Sequence, residues 1–167
     1  MSKTAEDLAL AFAGESQANR KYLFFADKAE SEGHKQIARL FRAAAEAETV
    51  HARNHLKVMQ GIKSTKENLL AAIGGEHYEF TKMYPEFIKQ AEADAEKNAQ
   101  DSFDLANHVE QIHHSLYKSA LDMLENDREA PVQPFYVCQT CGNTVEGKAP
   151  KECPVCGAAR KRFKRID

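Results

Sequence analysis

Tryptophan is absent from this chain of 167 residues, and cysteine is absent from its first 137 positions. Proline is nearly so: only Pro85 precedes position 131. No apolar run approaches the length of a membrane span, so a membrane protein of the helical kind is not expected. The N-terminal stretch carries Glu6, Asp7 and Glu15 where a signal peptide needs unbroken apolar sequence. A cytoplasmic location is therefore expected. A net charge of -2 argues neither for nor against a nucleic-acid partner. What is present is the composition of a globular protein, with 43% hydrophobic and 29% charged residues.

That composition is unevenly distributed. Residues 1–125 hold 15 Lys/Arg against 20 Asp/Glu, a balance of -5. Residues 126–167 hold 8 against 5, a balance of +3, together with all four cysteines and four of the five prolines. In a cytosolic protein, clustered cysteines point to metal ligation before disulfides.

Up to about residue 125 the apolar residues recur at alternating steps of three and four, the spacing of one helix face. Four such seams are legible. They run Leu8, Phe12, Glu15, Asn19, Tyr22, Ala26; Ile37, Phe41, Ala44, Glu48, His51, His55, Val58; Leu69, Ile73, Glu76, Phe80, Met83, Phe87; and Phe103, Ala106, Glu110, His113, Tyr117, Ala120, Leu124. Gly33 and Gly61 fall at breaks, Ser64-Thr65-Lys66-Glu67 offers a capping box, and the third break lies somewhere in 94–101. Pro85 predicts a kink in the third helix. The expected fold is mainly α: a four-helix bundle over residues 1–125, a linker over 126–135, and a small metal-stabilised domain over 136–167 that is too short to fold on its own core.

Each seam contains an acid that does not belong on an apolar face: Glu15, Glu48, Glu76 and Glu110. Burying one unpaired carboxylate is costly, and burying four near one another is worse, unless a cation sits among them. Two of the four are followed at i+3 by histidine, in Glu48-Thr49-Val50-His51 and Glu110-Gln111-Ile112-His113. Residues i and i+3 share a helix face, so each pair presents one oxygen and one nitrogen to the same point. Chance alone gives roughly 0.7 Glu-x-x-His pairs in a chain of this composition, so the bare motif is weak. Its placement is stronger. Glu15 precedes Glu48 by 33 positions and Glu76 precedes Glu110 by 34, so an acid followed by an acid–histidine pair is used twice. One Glu from each of two helices plus a Glu-x-x-His from each of the other two is the ligand set of a dinuclear carboxylate site. Glu79, one turn past Glu76, breaks the symmetry; its counterpart Ala18 is apolar. It is either a boundary residue or a fifth, exchangeable ligand. His55 suits a core role, His34, His77, His108 and His114 fall off the seams and are expected to be exposed, and Tyr22 and Tyr117 are either packing residues or donors to the carboxylates.

Cys138-Gln139-Thr140-Cys141-Gly142 and Cys153-Pro154-Val155-Cys156-Gly157 form two knuckles, and four thiolates make a tetrahedral site for zinc or a single iron. Spacing does not choose between the metals. The basic tail Arg160 to Arg165 suits a nucleic-acid-binding zinc ribbon, solubility, or docking on the acidic bundle.

Taken together the chain resembles the rubrerythrin family. Ala11-Phe12-Ala13-Gly14-Glu15-Ser16-Gln17-Ala18 is similar to its first-helix signature, and Gly75-Glu76-His77-Tyr78-Glu79, running to Met83-Tyr84-Pro85, to its third. The two Glu-x-x-His motifs and the closing rubredoxin-like knuckles complete the order. The resemblance implies a ferritin-like di-iron bundle, a rubredoxin-like domain holding one iron on Cys138, Cys141, Cys153 and Cys156 (with zinc as a substitute), and reduction of hydrogen peroxide in oxidative-stress defence. It implies that Glu48 and Glu110 bridge two irons, that Glu15 and Glu79 hold one of them and Glu76 and His113 the other, and that on reduction the first exchanges Glu79 for His51. It further implies a homodimer, arranged head-to-tail with the cysteine module of one chain serving the other's di-iron site, and an electron-donor protein, rubredoxin or its reductase. No nucleic acid or membrane partner is implied. Two alternatives stand beside it: a ferritin-type ferroxidase handling iron, and a zinc-ribbon regulator.

Overall fold

The computed structural model describes residues 2–128 and 132–167. Residues 129–131, in the middle of the expected linker, lie outside the described residues. The expected class holds: the chain is mainly α, with four long helical runs followed by a small three-stranded sheet. By contacts it divides into two compact units, Met1–Lys63 and Ser64–Asp167.

The first unit is a helical hairpin of α1 (Lys3–Ser31) and α2 (Lys35–Val58). Ser2 caps α1 by accepting from the N–H of Ala5. The two helices close on small residues. Ala26, Ala29, Ala38 and Ala45 are the buried positions, and alanine lets the backbones approach closely. Asn19 on α1 bridges the pair, donating to the carbonyl of Ala45 at 2.7 Å and to Thr49 Oγ1 at 2.8 Å. The Tyr22 ring lies 6.2 Å from that of Phe41, centroid to centroid. Phe25 lies 5.6 Å from the same ring. Packing therefore occupies the Tyr22 ring. On the second seam Phe41, Ala44, Glu48 and His55 are half-buried as expected, whereas Ile37, His51 and Val58 are exposed and the fully covered positions are the adjoining Ala38 and Ala45.

In the second unit, α3 (Thr65–Tyr78) opens on the expected capping box, with Ser64 and Glu67 each accepting the other's backbone N–H. Pro85 does not simply kink the third helix. A π-helical turn, Glu79–Met83, precedes it and leads into α4 (Tyr84–Ala93) with the proline in its first turn. Widening the turn is one way to accommodate a residue that has no N–H to give to the ladder. The chain reverses through Ala95 at φ 58° into α5 (Lys97–Glu125). Phe87 and Tyr84 pack on Phe103 of α5. His114 departs from expectation. It is half-buried rather than exposed, its Nδ1 lies 3.2 Å from the carbonyl of Ile73, and its ring contacts His77 and Phe80.

Strands β1 (Phe135–Cys138), β2 (Thr144–Glu146) and β3 (Phe163–Ile166) form an antiparallel sheet in the order β2-β1-β3. No helix among the described residues is long and apolar enough to cross a membrane.

The alanine contact between α1 and α2 generates a prediction. Ala38→Leu forces extra volume into a fully covered position and should cost about 1–3 kcal/mol of stability. Urea unfolding of the parent and variant measures it; an unchanged midpoint would show that the two helices do not meet there.

Candidate metal centre

Each unit contributes a matching triad. In the hairpin, Glu15 from α1 meets Glu48 and His51 from α2. In the second unit, Glu76 from α3 meets Glu110 and His113 from α5. Within each triad one ligand atom per residue lies within 4.8 Å of the others. The geometries repeat closely. His51 Nδ1 is 2.8 Å from Glu48 Oε2 and 3.7 Å from Glu15 Oε1. His113 Nδ1 is 2.8 Å from Glu110 Oε2 and 4.0 Å from Glu76 Oε2. The i, i+3 spacing on one helix makes the short pair, and the neighbouring helix delivers the lone acid. Both histidines turn the same nitrogen toward their carboxylates.

The electrostatics of the second triad are those of crowded acids. Burial, and then the facing carboxylate of Glu110, lifts Glu76 to about 7. Burial and Glu110 also raise Glu79, with His113 opposing them. Tyr84 is raised by burial and then by the negative charges of Glu110, Glu79 and Glu76. Sequence periodicity did not single out Tyr84 as a site residue. It lies five positions after Glu79, and the π turn between them brings both to the same acids. The Met83-Tyr84-Pro85 run was its only trace in the sequence.

The donor set fits a metal. Two carboxylates and an imidazole within 4.8 Å of one another suit iron or zinc, and acids that share protons in its absence are relieved by a cation. The cysteines fit as well. Cys138 and Cys156 sulfurs are 3.7 Å apart, and those of Cys141 and Cys153 are 3.6 Å apart. A tetrahedron with metal–sulfur bonds of about 2.3 Å has edges of about 3.8 Å, whereas a disulfide needs about 2.05 Å. Gly142 and Gly157 follow their knuckles at φ 85° and 73°. That conformation favours glycine. Their N–H groups donate to the carbonyls of Cys138 and Cys153. Burial opposes ionisation of Cys153, but the N–H groups of Cys156 and Val155 outweigh it and bring that thiol to about 7. Burial pushes Cys141 and Cys156 up, so a metal ion binding there would have to displace their protons.

The module also touches α5 of its own chain. Thr144 Oγ1 lies 3.0 Å from His113 Nε2, and Gly142 sits beside the Val109 side chain. The module thus meets α5 of its own chain. The basic tail is engaged locally: Arg162 donates to Thr140 Oγ1 and the carbonyl of Gln139, and Arg160 to the carbonyl of Pro150. Those arginines brace the knuckles.

Comparison with known proteins agrees with this arrangement. The family described as rubrerythrin matches residues 6–121, and the rubrerythrin, rubredoxin-like domain matches residues 136–164. Rubrerythrin-2 of Clostridium acetobutylicum is 33% identical, covering 96% of this chain and 95% of that protein. The rubrerythrin of Porphyromonas gingivalis is 37% identical, covering 97% and 89%. A solved structure of nigerythrin in a mixed-valence state superposes with a TM-score of 0.59 at 31% identity, covering 99% of this chain and 88% of that one.

The raised acid makes metal binding dependent on pH. Glu76 holds its proton up to about 7, so a metal ion binding at its triad must displace it. Affinity should fall as pH drops below about 7, with release of roughly one proton per ion at about pH 6.5. Without metal the sign is that of a raised carboxylate. Its contribution to stability is complete below 4.5 and is lost as pH rises through about 7. Calorimetric titration of the full chain with zinc, in buffers of different ionisation enthalpy, counts the protons; none released between pH 6 and 7 would contradict the shift.

Proposed function

The chain belongs to the rubrerythrin family, and we propose that it is a cytoplasmic peroxide reductase that converts hydrogen peroxide to water at a carboxylate-bridged di-iron centre, with electrons relayed through a cysteine-bound iron. The observation that carries this reading is the pairing of two equivalent Glu, Glu, His triads with a four-cysteine cluster whose module touches one of the triad histidines. Glu15, Glu48, His51, Glu76, Glu110 and His113, with Glu79, are the ligands we assign to the two irons. Cys138, Cys141, Cys153 and Cys156 hold the third. The domain limits proposed are 1–125 for the di-iron bundle, 126–135 for the linker and 136–167 for the rubredoxin-like module.

Iron held by Glu15, Glu48, His51, Glu76, Glu79, Glu110 and His113 would supply the two electrons of peroxide reduction, and iron on Cys138, Cys141, Cys153 and Cys156 would supply their replacement. The chain itself must supply two protons so that peroxide leaves as two waters. Glu79 is suited to that task. Burial and Glu110 raise its affinity for a proton above that of a free carboxylate, and His113 keeps it from being locked in the neutral form. Glu76 stores a proton near neutrality for the same physical reason. Tyr84, held protonated by burial and the surrounding acids, offers a hydroxyl donor to this group. A four-thiolate site has no open position for substrate, so the module suits electron transfer. Its approach to His113 favours reduction over iron storage, which needs no dedicated donor. The local use of the tail arginines weakens the regulatory reading. The partners we assign are peroxide as substrate, an electron-donor protein of the rubredoxin or rubredoxin-reductase kind, and a second copy of the chain.

Glu79→Ala tests the assignment. Iron content should remain close to that of the parent, while peroxide turnover falls about 100-fold, the scale of a lost proton-transfer group. Steady-state assay with an artificial reductant, beside metal analysis, measures both. Parent-like turnover in the variant would remove Glu79 from the mechanism, and a parent protein that oxidises with oxygen but not with peroxide would favour a ferroxidase.

A further inference from the structure

The two triads match in their carboxylates but differ on the far side of the imidazole. Among the described residues of the hairpin, His51 Nε2 meets no hydrogen-bond partner, and the side chain is 53% exposed. His113 is 28% exposed, and its Nε2 lies 3.0 Å from Thr144 Oγ1, on strand β2 of the cysteine module. Thr144 has a single hydroxyl proton. That hydroxyl donates to the carbonyl of Gly142 at 3.1 Å. Its oxygen can then take part in the contact with His113 only as an acceptor. With the hydroxyl proton directed to Gly142, the proton between them belongs to His113 Nε2. This fixes the ring orientation. It leaves Nδ1, which is 2.8 Å from Glu110 Oε2, as the nitrogen that faces the carboxylates.

We propose that Thr144 is a positioning residue for the metal centre: by accepting from His113 Nε2 it selects the imidazole tautomer that presents Nδ1 to the Glu76–Glu110 triad. The cysteine module thereby does more than carry a redox metal; it completes the outer support of a ligand on α5. Metal-binding histidines generally have their second nitrogen held in this way, and loss of such a partner weakens metal binding. Here the partner comes from the other domain. The consequence is an asymmetry between halves that share the same ligand types. His113 is locked as a permanent ligand whenever the module is docked, and His51 has no such restraint from its own hairpin. The hydrogen bonds also continue into the knuckle, because the Gly142 N–H donates to the carbonyl of Cys138 at 2.8 Å. An unbroken bonded connection thus runs from a cysteine of the module to His113.

The assignment of the triad to metal rests on the proposed function, but its test does not depend on peroxide chemistry. The full chain is loaded with zinc, a diamagnetic probe, and the imidazole nitrogens of His113 are observed by nitrogen-15 NMR in the parent, Thr144→Val, Thr144→Ala and Thr144→Ser. Valine keeps the shape and β-branching of threonine on a strand, and the four-thiolate absorption of the iron-loaded forms reports whether the module is intact. The parent should show zinc on Nδ1 and a proton on Nε2 that exchanges slowly with water. In Thr144→Val and Thr144→Ala that proton should exchange faster, and zinc affinity at His113 should fall about tenfold. Thr144→Ser, which keeps the hydroxyl, should restore both. Zinc on Nε2 in the parent would overturn the proposal, as would unchanged exchange and affinity in both hydroxyl-free variants. A chain that fails to reduce peroxide yet shows this pattern would refute the proposed activity and leave the role of Thr144 standing.

Discussion

The second unit is organised around carboxylates brought closer together than water alone would allow. Glu76 and Glu110 share a hydrogen bond, and burial adds to their mutual repulsion until Glu76 keeps a proton near neutrality. A helix face that carries such acids gains nothing from them in packing, and any apolar replacement of similar size would fill the space at lower cost. A cation among them would relieve that cost. Other local features then fall into place: the i, i+3 histidine that supplies a neutral ligand, the lone acid from the adjoining helix, and the π turn that sets Glu79 and Tyr84 beside the same group. The hairpin of α1 and α2 repeats the ligand geometry on a simpler scaffold, an alanine contact with one asparagine bridging the helices.

The two triads repeat with a difference. Both have a histidine nitrogen 2.8 Å from the carboxylate three residues earlier. Among the described residues, only the second has a further acid one turn along, a tyrosine among the acids, and an outer hydrogen bond to the cysteine module. A dinuclear centre that cycles between oxidation states needs one metal ion that can change ligands and one that holds still. In the proposed centre Glu79 would be the exchangeable donor, and His113, held by its contact with Thr144, the fixed one. The contact between Thr144 and His113 joins the second triad to the cysteine module.

Most of the centre was legible in the sequence, because its chemistry depends on residue type and period. Acids on apolar seams, histidines at i+3, a 33- and 34-residue repeat and paired C-x-x-C-G knuckles are one-dimensional signals. So was the Ser64 capping box. The rest depends on three-dimensional accommodation. Pro85 announced a disturbance, but nothing in the pattern indicated a π turn or that Tyr84 would thereby reach the acids. The half-buried position of His114 follows from its packing on Phe80 and the carbonyl of Ile73, neither of which lies near it in sequence. Thr144 is one residue in a short strand with a strand-like composition, and its meeting with His113 across 31 positions has no periodic signature.

Metal stoichiometry tests the central claim most directly. The chain, produced with iron and purified under mild conditions, should contain three irons, and Cys138→Ser with Cys141→Ser should retain two while losing the visible absorption of a four-thiolate iron. Of the remaining two, Glu110→Ala should lose at least one. If instead the parent binds a single ion at the cysteines and none at the carboxylates, the acids on the helix seams are held by protons alone and the account fails.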